Sequence, residues 1–146
     1  MEAIYRPRGP ALEYAPLACN IYKGCTFACR YCYGPAAIHK NKAQYFKKAD
    51  PKTAILDKLR RDAALCAGDK EVLLSFIGDP YQPYEKEARL TRQALKILYD
   101  AGVPFTVLTK AGRLVERDFD IIASHPGARL GVSLVWCCDD GNRVYW

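Results

Sequence analysis

Segments typical of buried strands alternate with segments typical of amphipathic helices along most of this chain. The run VLLSFI, residues 72–77, is continuously apolar, as in a strand covered on both faces of a parallel sheet. The predicted strands span 16–22, 72–77, 104–110 and 128–136. The predicted helices between them span 51–67, 85–100 and 113–125. Such alternation requires crossover connections between parallel strands. We therefore predict an α/β fold with a parallel sheet, of about four strands and three helices.

The length and composition suit one ordinary domain without membrane contact. The chain has 146 residues, of which half are hydrophobic, so it contains enough apolar material for a core. No apolar run approaches the ~18 residues of a membrane helix. The first residues lack the unbroken apolar centre of a signal peptide. We expect a cytoplasmic protein with no membrane partner.

Three cysteines fall within eight residues, in the stretch GCTFACRYCYGP. Cys25, Cys29 and Cys32 have the spacing C-x3-C-x2-C. A zinc site usually needs four ligands, for which only Cys19 is nearby, and a disulfide would leave one thiol over. An iron–sulfur cluster held by three thiolates would keep one iron open to a ligand. The residues alone leave these alternatives open, with the cluster as the better fit.

Unusual loops follow three predicted strands. The cysteines follow the first strand, GDPYQP follows the second and TKAG follows the third. Ligands of parallel α/β sheets bind beyond the carboxyl ends of the strands. The sequence therefore predicts a binding site at this edge of the sheet.

The cysteine spacing, with Tyr31 just before the third cysteine, resembles that of the radical S-adenosylmethionine (SAM) superfamily. This resemblance implies a partial parallel (βα) barrel in which Cys25, Cys29 and Cys32 hold a 4Fe–4S cluster. The open iron would chelate the amino and carboxylate groups of SAM. One electron, from a donor such as flavodoxin or ferredoxin, would cleave the cofactor to methionine and a 5′-deoxyadenosyl radical. That radical would abstract hydrogen from a substrate.

Longer strings carry the resemblance further. NIYKGCTFACRYCYGP, GDPYQPYEKEARLTRQALKIL, VLTKAGRLVERDFDII and LGVSLVW are similar to the spore photoproduct lyase-like branch, whose members are often called DNA repair photolyase-like proteins. The similarity runs from about Leu17 to Trp136. It implies a lyase-like enzyme of unknown substrate, with nucleic acid as one candidate.

The resemblance also implies cofactor contacts at single positions. Tyr31 would pack near the adenine, or else fill the barrel mouth as a plain loop ring. The methionine amino group would meet a stretch that also suits a helix-capping turn: Gly78, Asp79 and Pro80. Ser133, inside the fourth predicted strand, would contact the ribose or carboxylate, or bond to a neighbour. Lys110 would meet a carboxylate or phosphate, or remain solvated.

The formal charge of +6 is concentrated in the run HKNKAQYFKK, residues 39–48. Such a run attracts phosphate backbones, and the rings of Tyr45 and Phe46 favour stacking on bases. The simpler interpretation of the run is a solvated basic loop. The alternative function is therefore a non-catalytic zinc or iron–sulfur module with a basic surface that binds nucleic acid.

The predicted organisation has three parts. Residues 1–15 form an extended lead-in, 16–136 form the radical SAM core, and 137–146 form an irregular tail. Relatives of this type continue after the fourth strand into further βα units. We therefore expect an incomplete barrel, with weak cluster binding and little activity from these residues alone.

Overall fold

The computed structural model describes residues 3–66 and 70–134, which form a five-stranded sheet covered by helices. The strands are β1 (Ile4–Tyr5), β2 (Leu17–Cys19), β3 (Val72–Leu74), β4 (Phe105–Thr109) and β5 (Ala128–Val132). The α-helices are α1 (Gly34–Ala37), α2 (Lys42–Lys47), α3 (Ile55–Leu65), α4 (Glu85–Ala88), α5 (Leu90–Asp100) and α6 (Phe119–Ser124). Two 3-10 helices span Gly9–Glu13 and Gly112–Asp118.

The strands lie in the sheet in chain order, from β1 to β5. β2, β3, β4 and β5 pair in parallel, and each neighbouring pair is joined through helices. Sequential parallel strands with helical crossovers are the arrangement of a (βα) barrel wall. The predicted α/β fold of the partial-barrel type is confirmed, with the four predicted parallel strands in place.

The segment 1–15 does more than lead into the sheet. Its strand β1 pairs antiparallel with β2, with Ile4 opposite Cys19. The buried Asp62 of α3 accepts hydrogen bonds from the backbone N–H groups of Ala3 and Ile4, at 2.7 and 3.0 Å. The sheet is therefore extended by a fifth strand, which comes from a segment predicted to lie outside the core.

The helices differ from prediction at their ends. The predicted helix 85–100 is broken at Arg89, whose φ of 48° separates α4 from α5. The predicted helix 113–125 begins as a 3-10 turn before α6. The helix predicted from residue 51 begins only at Ile55, because Pro51 forms a bridge with Tyr22. Packing against neighbours, which local periodicity does not encode, decides these boundaries.

The sheet has a helix-covered face and an inner face. Strand residues on the helix-covered face join α3, α5 and α6 in the main core, which includes Leu17, Cys19, Val72, Leu74, Phe105 and Val107. The alternate residues Ala18, Leu73 and Leu108 belong to a smaller cluster with Tyr5 and Phe76. Alternation of side chains along a strand produces this division. The inner face is thus left to line cavities.

No helix within the described ranges combines the length and apolar character needed to cross a bilayer. The predicted tail, 137–146, lies outside the described residues.

Candidate functional site

The predicted convergence of three loops at the carboxyl edge of the sheet is observed. The cysteine loop follows β2, the loop containing Gly78 and Asp79 follows β3, and Lys110 follows β4. They enclose a pocket of about 140 Å³, called here the cysteine pocket. It is lined by Cys25, Phe27, Cys29, Tyr31, Cys32, Tyr33, Tyr45, Ser75, Phe76, Gly78, Asp79, Leu108 and Lys110. Three thiols therefore face one small space together with a lysine and a carboxylate.

The three cysteines differ in exposure. Cys25 and Cys29 are 7% and 8% exposed, and Cys32 is partly exposed. Burial raises the pKa of Cys25 to about 11, although the backbone N–H groups of Asp79 and Phe27 donate to its sulfur. Without a metal this sulfur is a neutral thiol, so a metal must displace its proton on binding.

Two glycines allow the cysteine loop to pack closely. A Cβ on Gly24 would lie 2.4 Å from the Lys48 carbonyl oxygen and 2.7 Å from that of Tyr45. A Cβ on Gly34 would lie 2.6 Å from the Tyr45 hydroxyl and 3.3 Å from the Cys32 sulfur. The Cys25 N–H donates to the Tyr45 carbonyl at 3.1 Å. Glycine is therefore required on both sides of the cysteine group.

A buried glutamine fixes the backbone around Cys25. Gln82, with no exposed surface, donates from Nε2 to the Gly24 carbonyl at 3.1 Å and accepts from the Thr26 N–H at 3.0 Å. Sequence reasoning missed this residue. Its signal was a polar residue amid the prolines and tyrosines of GDPYQPY, but nothing local identified its partner.

Asp79 joins the loop after β3 to the end of β4. Its Oδ1 accepts from the Tyr81 N–H at 2.8 Å and the Thr109 hydroxyl at 2.6 Å, and its Oδ2 accepts from the Lys110 N–H at 2.7 Å. Burial raises the pKa of Asp79, and these hydrogen bonds oppose the rise. Three of about four acceptor positions are occupied. A contact with the cofactor's amino group stays a prediction.

The other predicted cofactor residues lie at different distances from the pocket. Gly78 lines it, and its carbonyl accepts from the Ser75 hydroxyl. Pro80 is buried outside the lining, with its carbonyl bonded to Thr91. Ser133 also lies outside the lining, and its N–H donates to the Thr109 carbonyl at 2.9 Å. The structure brings Gly78 to the cysteines but not Pro80 or Ser133.

Tyr31 lies at the mouth of the pocket. Its side chain is 54% exposed, and its ring lines the space beside the cysteines. Partial burial and its hydrogen bond with Cys29 raise the pKa of Tyr31 to about 12. Packing of this ring against the adenine of the cofactor stays a prediction.

Behind the pocket, a buried ion pair anchors the segment after β3. Glu85, with no exposed surface, bonds to the Tyr22 hydroxyl, to the Thr91 N–H at 2.9 Å and to Arg117 Nη2 at 2.6 Å. A buried carboxylate is tolerated when its oxygens are paired in this way. This network ties the end of the GDPYQP loop to Tyr22, α5 and the 3-10 helix before α6.

Cys19 is not positioned as a fourth ligand. It has no exposed surface and belongs to the helix-covered core, and burial raises the pKa of its thiol to about 12. Within residues 3–66 and 70–134, no three His, Cys, Asp or Glu side chains are grouped around one metal-ion position. Sulfurs of one zinc ion lie roughly 4 Å apart, given Zn–S bonds of ~2.3 Å. Thiolates of a cluster bind different irons and need no such approach.

The expectation that Tyr45 stacks on bases is wrong. The residue is 1% exposed, its ring lines the cysteine pocket, and its hydroxyl accepts from the Gly78 N–H. The ring of Phe46 packs edge-on against it at 5.3 Å. Tyr45 therefore faces inward and lines the pocket, whereas Phe46 is partly exposed and lies outside the lining.

Comparison with known proteins extends this description. The chain matches the radical SAM superfamily over residues 19–135. It is 28% identical to an uncharacterized protein of Methanocaldococcus jannaschii over 116 residues, which cover 79% of this chain and 42% of that protein. It is 32% identical to an uncharacterized protein of Mycobacterium tuberculosis over 122 residues, 80% of this chain and 35% of the relative.

This chain thus spans well under half the length of these two relatives. No solved structure matches it. The superfamily match covers both the cysteine loop and the parallel strands that present it. This chain belongs to the radical SAM superfamily, whose members use a 4Fe–4S cluster and S-adenosylmethionine.

Proposed function

We propose that Cys25, Cys29 and Cys32 hold the 4Fe–4S cluster and that the cysteine pocket receives SAM for reductive cleavage. The observation that carries this proposal is the convergence of three thiols on one pocket at the carboxyl edge of the parallel strands. Thiolates are the donors such clusters take. When bound, the cluster supplies the electron that breaks a carbon–sulfur bond of the cofactor.

The protein's own groups orient and tune this centre. The N–H groups of Asp79 and Phe27 donate to the Cys25 sulfur, and hydrogen bonds to thiolate ligands adjust the potential of a cluster. Gln82 and Gly24 hold the loop in which Cys25 sits. The sulfur is thereby kept at a fixed position relative to the loop after β3.

Polar and aromatic groups of the pocket suit the cofactor. Lys110 lines the pocket, and no ion pair in the described part of the chain involves it, so its ammonium is available to the methionine carboxylate. Asp79 retains one acceptor position for the amino group. Tyr31 offers its ring to the adenine. Each contact pairs a group of the cofactor with a complementary side chain.

The finer assignment is to the spore photoproduct lyase-like branch. Two stretches outside the cysteine motif support this assignment: GDPYQPYEKEARLTRQALKIL, which contains Asp79, and VLTKAGRLVERDFDII, which contains Lys110. The cysteine spacing itself is common to the whole superfamily. This assignment makes the protein a lyase-like enzyme that takes its electron from flavodoxin or ferredoxin. Nucleic acid is the proposed substrate class.

Anaerobic reconstitution tests the proposal directly. Iron and acid-labile sulfide are measured per chain, together with absorbance near ~400 nm before and after dithionite, the region of iron–sulfur charge transfer. Cleavage of SAM to methionine and 5′-deoxyadenosine is followed in parallel. In the cluster that forms, we expect iron and sulfide in equal amounts, bleaching by dithionite and a response to SAM, while the iron content per chain and the amount of SAM cleaved stay low for these residues alone.

Matched cysteine variants sharpen this experiment. Cys29→Ala removes a pocket thiol and should abolish cluster binding, whereas Cys19→Ala removes a core thiol and should leave the iron content unchanged. A colourless protein with bound zinc would overturn the proposal in favour of a non-catalytic metal module. Equal iron content in both variants would also contradict it.

A further inference from the structure

Three cavities on the inner side of the sheet share walls. The cysteine pocket and a larger chamber of about 900 Å³ have Tyr33, Phe76 and Leu108 in common. The chamber in turn shares lining with a smaller cavity of about 190 Å³, through Asn20, Ile38, Lys52 and Ile77. The three cavities are therefore neighbours, with the chamber between the thiols and the small cavity.

The small cavity is cationic. Lys23, Lys40 and Lys52 line it, and no carboxylate does. Backbone pairing brings two of them together, since the Lys23 N–H donates to the Asp50 carbonyl and the Lys52 N–H to the Ile21 carbonyl, each at 2.9 Å. The third comes from the segment between α1 and α2. Three separate stretches of chain thus contribute one lysine each.

Lys52 is the most constrained of the three. It is partly buried, and burial lowers the pKa of its ammonium, with Lys23 and Lys58 adding to the fall. None of the ion pairs among the described residues includes Lys52, and the nearby Asp50 carboxylate pairs instead with Lys48 at 3.7 Å. An anion placed in this cavity would offset both the desolvation of Lys52 and its repulsion by Lys23.

The chamber between the lysines and the thiols is aromatic. Tyr5, Tyr14, Tyr33 and Phe76 line it, together with Arg8, and its lining contains no Asp or Glu. The rings of Tyr14 and Phe76 meet edge to face, with centroids 6.3 Å apart. Aromatic side chains of this kind bind planar groups by stacking. The volume is within the range of small-ligand sites, roughly 300–1,000 Å³.

We propose that Lys23, Lys40 and Lys52 bind the phosphate of a nucleotide whose base lies among the rings of the chamber. This inference deepens, and rests on, the proposed function, because the nucleotide would extend toward the cysteine pocket as the substrate. The phosphate belongs either to a free nucleotide or to a nucleic-acid strand.

Binding of a fluorescein-labelled single-stranded hexauridylate, followed by polarisation, tests the phosphate contact. The full chain with reconstituted cluster is compared with Lys52→Gln, Lys40→Gln and the control Lys42→Gln. Lys42→Gln removes the same charge, and Lys42 lies in the same basic run as Lys40 but lines none of the three cavities. We expect about tenfold weaker binding for the first two variants, as for loss of one charged hydrogen bond, and less than about twofold for the control. A plot of the logarithm of the binding constant against the logarithm of the salt concentration should become less steep by ~0.7 for each lost phosphate contact.

Competition tests the base and the source of the phosphate. Uridine 5′-monophosphate should displace the probe at lower concentration than inorganic phosphate; a pyrimidine is used because adenine also occurs in the cofactor. If only unlabelled hexauridylate displaces it, the phosphate is that of a strand, and the site is still supported. Equal weakening by all three lysine variants, no weakening by any, or displacement of the probe by inorganic phosphate at the same concentration as by the mononucleotide would overturn the inference. Iron and sulfide content report separately on the proposed function.

Discussion

Replacing Gln82 by alanine should uncouple the cysteine loop from the loop after β3. The side chain bonds to Gly24 and Thr26, the residues on either side of Cys25, and it has no exposed surface. Alanine reaches neither partner. The backbone on both sides of Cys25 would therefore lose its hydrogen bonds to Gln82.

The loss of folding stability follows from the two backbone groups left without a partner, the Gly24 carbonyl and the Thr26 N–H. A buried backbone group without its partner costs about 1–3 kcal/mol. Gly24 is buried but Thr26 only partly, so water can replace one of the two bonds, and we expect a loss of about 2–4 kcal/mol. This is a large fraction of the ~5–15 kcal/mol that stabilises a typical domain. We also expect lower iron content, because Cys25 then samples more than one position.

Urea unfolding of the metal-free chain and iron content after reconstitution measure these two effects separately. Gln93→Ala is the matched control, since Gln93 is exposed on α5 and donates only a long 3.3 Å bond to the Arg89 carbonyl. It should change the free energy of unfolding by less than ~0.5 kcal/mol, the usual limit for surface sites. If Gln82→Ala behaved like this control in both assays, Gln82 would not be the residue that fixes the backbone around Cys25.

Three further perturbations examine other parts of the structure. Arg117→Met leaves the buried Glu85 carboxylate without its cation and should lower the free energy of unfolding, measured in urea, by about 3–5 kcal/mol. Arg60→Met breaks an exposed pair and should lower it by less than ~1 kcal/mol. Similar values for the two variants would contradict the assigned burial of Glu85. Gly34→Ala should destabilise the chain by ~1–3 kcal/mol, because the added methyl group contacts the Tyr45 hydroxyl. Combining it with Tyr45→Phe should recover part of this loss. If the free-energy changes of the two substitutions were strictly additive, that contact would be contradicted. Iodoacetamide at pH 8 should leave Cys19 unmodified in the folded chain and alkylate it in urea, because the thiol is buried and its pKa is raised to about 12. Mass spectrometry measures the alkylation, and rapid labelling without urea would contradict this expectation.

The parallel sheet and the location of the site were accessible from sequence for a physical reason. The apolar run beginning at Val72 must be covered on both faces, so parallel crossovers follow, and parallel strands end at a common edge. Loops after successive strands are therefore neighbours whatever their detailed conformation. This is enough to bring Cys25, Asp79 and Lys110 to one pocket.

The partners of individual side chains were not accessible in the same way. Gln82 bonds to residues 56 and 58 positions earlier, and Glu85 pairs with Arg117, 32 positions later. No local pattern distinguishes these residues from surface ones. Tyr45 shows the same limit, since it lies in a run of lysines yet is buried under the cysteine pocket. Such assignments depend on the docking of distant segments, which only the structure supplies.

The segment from Asp79 to Glu85, which joins β3 to α4, binds three neighbours through residues spaced three apart. Asp79 holds the end of β4, Gln82 holds the cysteine loop, and Glu85 holds α5 and the 3-10 helix before α6. A single displacement of this segment would therefore disturb all three attachments together. It follows that lost activity after substitution here is not evidence of a cofactor contact. Only a variant that keeps the free energy of unfolding and the iron content while weakening SAM binding would identify Asp79 as a cofactor ligand.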